Sequence, residues 1–192
     1  MTDSPTAPLR ILTVCSHNRT RSVMMAALFE SMLTERLGRV IVRSSGFGPE
    51  GIPAIDDAVA AMKRRGLDVS QHRSGSTTPE LVNGADVIIT AERDHVVKIA
   101  ALSPSAFARA MTLPELLARA GDVPDAPDGA GVRAWVESLT ASRTAAAYLR
   151  EFVAEVADPT GLTPRAFESA VVSLERQCGE ASALLARVAS GG

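Results

Sequence analysis

The sequence predicts an open α/β fold: a single-domain, three-layer sandwich with a central, mostly parallel four-stranded sheet flanked by helices. Three observations predict it. Short runs rich in Val, Ile and Leu recur along the chain between polar turns, as buried strands require. Between them lie segments whose apolar residues repeat at helical spacing. Strand, turn, helix and strand follow in that order, which is the βαβ unit of a parallel sheet. A length of 192 residues suits one domain spanning 1–192, and 46% hydrophobic residues supply its core. Aromatics are only 4%, so that core is built from Ala, Val, Leu, Ile and Met.

The elements follow in order. "LRILTV" (9–14) reads as a short buried strand. After a polar turn, "SVMMAALFESMLTERLG" (22–38) reads as a helix, because Met25, Leu28, Phe29 and Met32 fall on one face and Gly38 can stop it. "RVIVRSS" (39–45) is the second strand, joined by the right-handed crossover such units adopt. "IDDAVAAMKRRG" (55–66) is a helix ending at Gly66, "ADVIITA" (85–91) a third strand and "ERDHVVKIAAL" (92–102) a helix. "AFARAMTL" (106–113) completes the alternation as a final strand, and Pro114 suits the first turn of a further helix. Gly, Pro and Asp crowd 121–131, which reads as a loop within an insertion spanning 121–145. Residues 132–156 have a helical pattern, 158–164 break it, and a long helix closes the chain. Phe167, Ala170, Val171, Leu174 and Cys178 share the apolar stripe of that last helix, which makes Cys178 a core residue.

Charge and composition exclude several classes. A formal net charge of −2 argues against a nucleic-acid footprint spread over the whole surface. No stretch reaches the length of a membrane span, and the first ten residues, "MTDSPTAPLR", lack a secretory core, so the expected location is cytoplasmic. The two cysteines, Cys15 and Cys178, are read singly, as befits a reducing compartment. Metal-ligand clusters do not occur, and no cofactor is expected.

Chemistry concentrates in the turn after the first strand, "TVCSHNRTRS" (13–22). In an open α/β sheet that turn lies at the carboxyl edge, where such folds bind ligands. A helix starts there, so its free N–H groups and those of the turn form a nest for an anion. Cys15 ends the strand and Arg21 follows after five residues. A thiolate is a nucleophile, a guanidinium grips two phosphate oxygens in a bidentate fork, and a hydroxyl at Ser22 can steady the sulfur. The spacing alone is a weak signal; its place between a strand and a helix gives it weight. Asp94 and His95 read as part of a solvated helix face.

"VCSHNRTRS" resembles the phosphate-binding loop of the low-molecular-weight protein tyrosine phosphatases, a loop shared by arsenate reductases of similar fold. "VRSSGFGPEGIPAIDDAV", "GLDVSQHRS", "ADVIITAERDHV" and "VADPTG" are similar to successive segments of that family, so the likeness spans most of the chain. The resemblance implies roles by position. Cys15 would be the nucleophile, Arg21 the phosphate clamp and Asp158 the acid that protonates the leaving oxygen and then activates water. Ser16, His17, Asn18, Arg19 and Thr20, with Ser22, would bind phosphate or support the loop. Asn18 would take a left-handed conformation, buttressed by Ser44 and His72. His17 and Arg19 would tune the charge at the mouth. The implied partners are a phosphorylated protein or small phosphoester, with phosphate, sulfate or a similar oxyanion in the loop, and neither nucleic acid nor membrane.

The sequence also departs from the family pattern. Thr20 stands where a second cysteine usually precedes the arginine, so no vicinal disulfide can protect Cys15. Thr160 stands where an aromatic often follows Asp-Pro, leaving Phe47 as the expected substrate wall and Trp135 as a second candidate. Phosphate chemistry is thus better supported than tyrosine preference. Two other readings stay open: a single-cysteine arsenate reductase using an external thiol, and a phosphate-binding module without turnover.

Overall fold

The computed structural model describes residues 7–122 and 131–191. Four strands form its sheet: β1 (Leu9–Cys15), β2 (Val40–Gly46), β3 (Val87–Thr90) and β4 (Ala110–Thr112). All three pairings are parallel, in the order β2-β1-β3-β4. The chain leaves β1 in one direction for β2 and later returns to the other side of it for β3. The carboxyl end of β1 is therefore the topological switch point of the sheet.

Alternation along β1 divides the core into two layers. Ile11 packs with Val87, Ile89 and Met111 on one face, against α1 (Arg21–Leu37), α2 (Asp56–Lys63), α5 (Leu113–Asp122), α6 (Val132–Leu139) and α8 (Pro164–Ser190). Leu12 and Val14 pack with Ile88 and Ala110 on the other, against α3 (Pro79–Gly84), α4 (Arg93–Leu102) and Tyr148 of the short α7 (Ala145–Tyr148). The stripe expected on the last helix is present: Phe167, Val171, Leu174 and Cys178 are buried, with Ala170 half-buried at its margin.

Three expectations differ from the structure. The strand expected over 106–113 is confined to 110–112, because Pro104 starts a 3-10 turn over Pro104–Arg109. Helix α3 was not foreseen, although Thr78 caps it, accepting from the Leu81 N–H, and Pro79 opens it. The helix expected over 132–156 is broken into α6, α7 and an extended strap. Competing hydrogen bonds explain the break. Thr140 Oγ1 donates to the Ala108 carbonyl at 2.5 Å, Thr112 Oγ1 to the Ala154 carbonyl at 2.7 Å, and the Val156 N–H to the Ala91 carbonyl at 2.8 Å. These bonds tie 140–156 to the ends of β3 and β4 instead of to itself. The loop expected over 121–131 falls largely outside the described residues, as does the start of the polar amino-terminal segment.

Candidate active site

The loop from Ser16 to Thr20 joins β1 to α1 at the switch point. The first helical hydrogen bond of α1 runs from the Met24 N–H to the Thr20 carbonyl. Among the described residues, no backbone N–H from Ser16 through Val23 has a protein acceptor. A run of unpaired N–H groups at a helix N-terminus is an anion cradle.

Cys15 closes β1 at the base of this cradle, buried, with its sulfur 3.0 Å from Ser22 Oγ. Asn18 Nδ2 donates to the same hydroxyl oxygen at 3.0 Å, which leaves the Ser22 hydrogen for the sulfur. Asn18 has φ of 53°, the sole positive value outside glycine among the described residues. Its conformation is held from several directions. The Gly75 N–H donates to Asn18 Oδ1 at 2.9 Å, and His72 Nε2 donates to the Asn18 carbonyl at 2.7 Å. Gly46 at the end of β2 passes so close that a Cβ there would lie 2.7 Å from the Asn18 nitrogen.

His72 thus lies against Asn18, as expected, acting on its main chain. Ser44 does not. It sits on β2 opposite Thr13, and the side-chain amide and carbonyl of Asn18 are engaged by Ser22, Gly75 and His72 instead.

Arg21 begins α1, its side chain only 5% exposed. One terminal nitrogen, Nη2, meets Glu92 Oε1 at 2.6 Å and Asp158 Oδ2 at 3.0 Å, while Nη1 donates to the Val156 carbonyl at 3.2 Å. Asp158 is thus delivered from far along the chain to the guanidinium of Arg21, six positions after Cys15. The strap makes this possible, since the Val156 peptide is anchored at both its N–H and its carbonyl. Asp158 Oδ1 also accepts the Thr160 N–H at 3.0 Å, which fixes the turn at Asp-Pro.

The remaining candidates line the loop. His17 is exposed, and Arg19 is half-buried with Nε donating to the Pro53 carbonyl at 2.9 Å. Thr20 is buried and its hydroxyl lies 3.4 Å from that of Thr160. The Phe47 N–H donates to the Ser16 carbonyl at 2.8 Å, and its half-buried ring stacks on His95 with centroids 6.0 Å apart. Trp135 cannot wall the site. It is buried in α6, whose Arg133 pairs with Asp86 before β3, at the opposite edge of the sheet.

Two residues here escaped the sequence reading. Glu92 is the tightest partner of Arg21, and His95, expected on a solvated face, is buried with Nε2 3.1 Å from Ser16 Oγ. Burial pushes the His95 pKa down to about 4. Asp94 is exposed and pairs with Lys98, as a solvated face implies. The available signal was position: both residues lie just beyond the carboxyl end of β3, beside the switch point. Among the described residues no acidic, His or Cys cluster could hold a metal.

Known proteins resemble this chain in sequence and fold. The "Probable low molecular weight protein-tyrosine-phosphatase EpsP" of Ralstonia solanacearum is 38% identical over 107 residues, 55% of this chain and 71% of the relative. A "Protein-arginine-phosphatase" of Geobacillus stearothermophilus is 33% identical over 120 residues, 62% of this chain and 78% of its own. The solved structure "YwlE arginine phosphatase from Geobacillus stearothermophilus" superposes with a TM-score of 0.69 at 26% identity, covering 93% of each chain. A family model described as "Low molecular weight phosphotyrosine protein phosphatase" matches residues 10–142, which includes the whole cradle and stops short of Asp158. On that match and those identities, the chain belongs to the low molecular weight phosphotyrosine protein phosphatase family.

Proposed function

We propose that this protein is a phosphomonoesterase that removes phosphate from phosphotyrosine in proteins through a cysteinyl-phosphate intermediate. The observation that carries the reading is that one loop with a run of unpaired N–H groups follows a buried thiol, Cys15, and ends at Arg21, whose guanidinium holds the carboxylate of Asp158 at 3.0 Å. A module that only bound phosphate would need neither the thiol nor the carboxylate.

The substrate phosphate would lie on the free N–H groups of the loop, gripped by Arg21. The Cys15 sulfur attacks phosphorus in line, forming the S–P bond as the P–O ester bond breaks. The departing oxygen takes its electron pair and receives the proton of Asp158. In the second step water attacks phosphorus while the Asp158 carboxylate accepts its proton. The S–P bond breaks, the thiolate returns with Ser22 donating to it, and inorganic phosphate leaves. His72, Asn18 and Gly75 would keep the loop shaped through both steps.

Phe47 is tied to the loop through its N–H to the Ser16 carbonyl, which supports a place for its ring beside an aromatic substrate. Similarity to an arginine phosphatase favours a second reading, in which the same cradle cleaves a P–N bond of phosphoarginine. Cys178 is sealed in the core and offers no second thiol, which leaves arsenate reduction only the single-cysteine route through an external thiol. Both cysteines are free, which agrees with work in the reducing cytoplasm. Among the described residues, no helix is long and apolar enough to cross a membrane.

A turnover panel of phosphotyrosine, phosphoserine and phosphoarginine peptides and arsenate, run beside Cys15→Ser, tests the reading. Turnover of phosphotyrosine by the native protein and none by the variant is expected. Substantial turnover by Cys15→Ser would overturn the mechanism, and preference for phosphoarginine would replace the substrate. Asp158→Ala should slow esters with poor leaving groups about a hundredfold, and activated aryl phosphates much less; indifference to both would remove Asp158 from the mechanism.

A further inference from the structure

We propose that His95 is a positioning residue for this site, whose Nε2–H holds the Ser16 hydroxyl as a donor to the phosphoryl oxygens above Cys15. The inference rests on the phosphatase reading and adds a residue to it.

The direction of each hydrogen bond follows from atoms whose roles are fixed. The Glu92 backbone N–H can only donate, and it points at His95 Nδ1 at 3.1 Å. Nδ1 is therefore the acceptor, and the proton of the neutral ring sits on Nε2. Nε2 faces Ser16 Oγ at 3.1 Å, whereas the Glu92 carboxylate is farther, at 3.7 Å. Ser16 must then accept from His95, and its own hydrogen has no acceptor among the described residues. Ser16 directly follows Cys15, and its N–H is the first of the unpaired run that forms the cradle. A hydroxyl that can only donate, placed at an anion site, adds one donor to that run.

A structural role for His95 accounts for half of this geometry. The bond to Nδ1 caps the start of α4. It gives no reason for Nε2 to reach a side chain in the catalytic loop, 79 positions away in sequence. The ring is also held against rotation. It is 1% exposed and stacks on Phe47 at an interplanar angle of 17°, and Lys98 Nζ lies 5.3 Å from the Phe47 centroid. The charged groups around it are Glu92 and Asp94, which favour protonation, and Arg21 and Lys98, which oppose it together with the larger effect of burial. The ring is thus neutral throughout the ordinary assay range. A protonated ring would set an Nδ1–H against the Glu92 N–H.

The test uses four variants of the full chain: Ser16→Ala, His95→Asn, the Ser16→Ala/His95→Asn double variant, and His95→Gln. An Asn amide can replace the Nδ1 acceptor but not reach Ser16. A Gln amide can place an N–H near the Nε2 position. Two quantities are read: inorganic phosphate affinity by calorimetry, and kcat and KM on an aryl phosphate. Ser16→Ala and His95→Asn should each weaken phosphate binding about tenfold. The double variant should be no worse than either single one, because both break one unit. His95→Gln should recover most of the affinity.

Unchanged phosphate affinity in Ser16→Ala overturns the proposal, whatever the His95 variants do. So do losses that multiply in the double variant, which would make His95 an independent structural residue. If the His95 variants fail to fold, Ser16→Ala alone decides. If the native protein binds phosphate but turns over no ester, the phosphatase reading fails while the affinities still judge the His95–Ser16 unit.

Discussion

At Gly46 the main chain of β2 passes the catalytic loop with no room for a methyl group. An added Cβ would sit 2.7 Å from the Asn18 nitrogen and 3.0 Å from the Cys15 carbonyl, both backbone atoms with no rotamer to yield. Gly46→Ala should therefore distort the cradle, lowering kcat/KM by about a hundredfold and stability by about 1–3 kcal/mol; a steady-state assay with a urea titration checks both. His95 makes a second prediction at this scale. Its pKa is about 4 in the folded protein against an ordinary 6.5. Below pH 6.5 the unfolded chain takes up the proton first, so stability present above that pH is lost as it falls toward 4. The loss is about 1.4 kcal/mol per unit and about 3 kcal/mol in all. The urea midpoint should fall between pH 7 and 5, and His95→Gln should remove that part of the slope. Cys15 and Arg21 stood out by their spacing at the strand–helix junction, and Asn18 only through the family resemblance. Glu92 and His95 did not. On a helix an exposed and a buried polar residue look alike until the partner across the site is known.

Among the elements, the strap between α7 and α8 carries the most consequence. Residues 151–158 cross the ends of β4 and β3 through the Ala154 and Val156 main chain, and that crossing delivers Asp158. Val156→Pro would remove the N–H that holds the strap to Ala91. Its expected signature is slower turnover of esters with poor leaving groups and retained phosphate binding, measurable by a leaving-group series beside calorimetry. The sequence reading placed Asp158 on a turn but made 132–156 helical. Periodicity in an alanine-rich segment reports propensity, and here the backbone groups found partners on the sheet that no local pattern records. The strands fared better, since runs of Val and Ile buried on both faces are distinctive. β4 shrank because Pro104 redirected the chain before it.

For the whole molecule, stability and chemistry reside in different places. Helix α8, 27 residues or about 40 Å long, packs against α1, α2, α5 and α6 through Phe167, Val171, Leu174 and Cys178. Leu174→Ala should cost about 2–5 kcal/mol and lower Tm, while kcat per folded molecule is unchanged; thermal melts with active-site titration separate the two. Burial raises the pKa of the Cys178 thiol, so the thiol should stay unmodified by alkylating reagents until the protein unfolds. The parallel architecture was legible from the alternation of elements. The order β2-β1-β3-β4 was not, because strand order depends on which face each crossover covers, and one sequence records that weakly.

The guanidinium of Arg21 carries a further consequence. Each of its two paired edges, Nε with Nη2 and Nη1 with Nη2, includes Nη2, the nitrogen that lies 2.6 Å from Glu92 and 3.0 Å from Asp158. A bidentate anion therefore competes with these carboxylates for that nitrogen. Asp158 is the weaker tie, at 3.0 Å and 48% exposed, against Glu92 at 2.6 Å and 29% exposed. In the proposed mechanism, loosening that tie would also free Asp158 to serve the leaving group. Anion capture and release of Asp158 from the guanidinium become one linked event. Calorimetry should register tighter phosphate binding in Asp158→Asn, whose neutral amide holds the guanidinium less strongly than the carboxylate does.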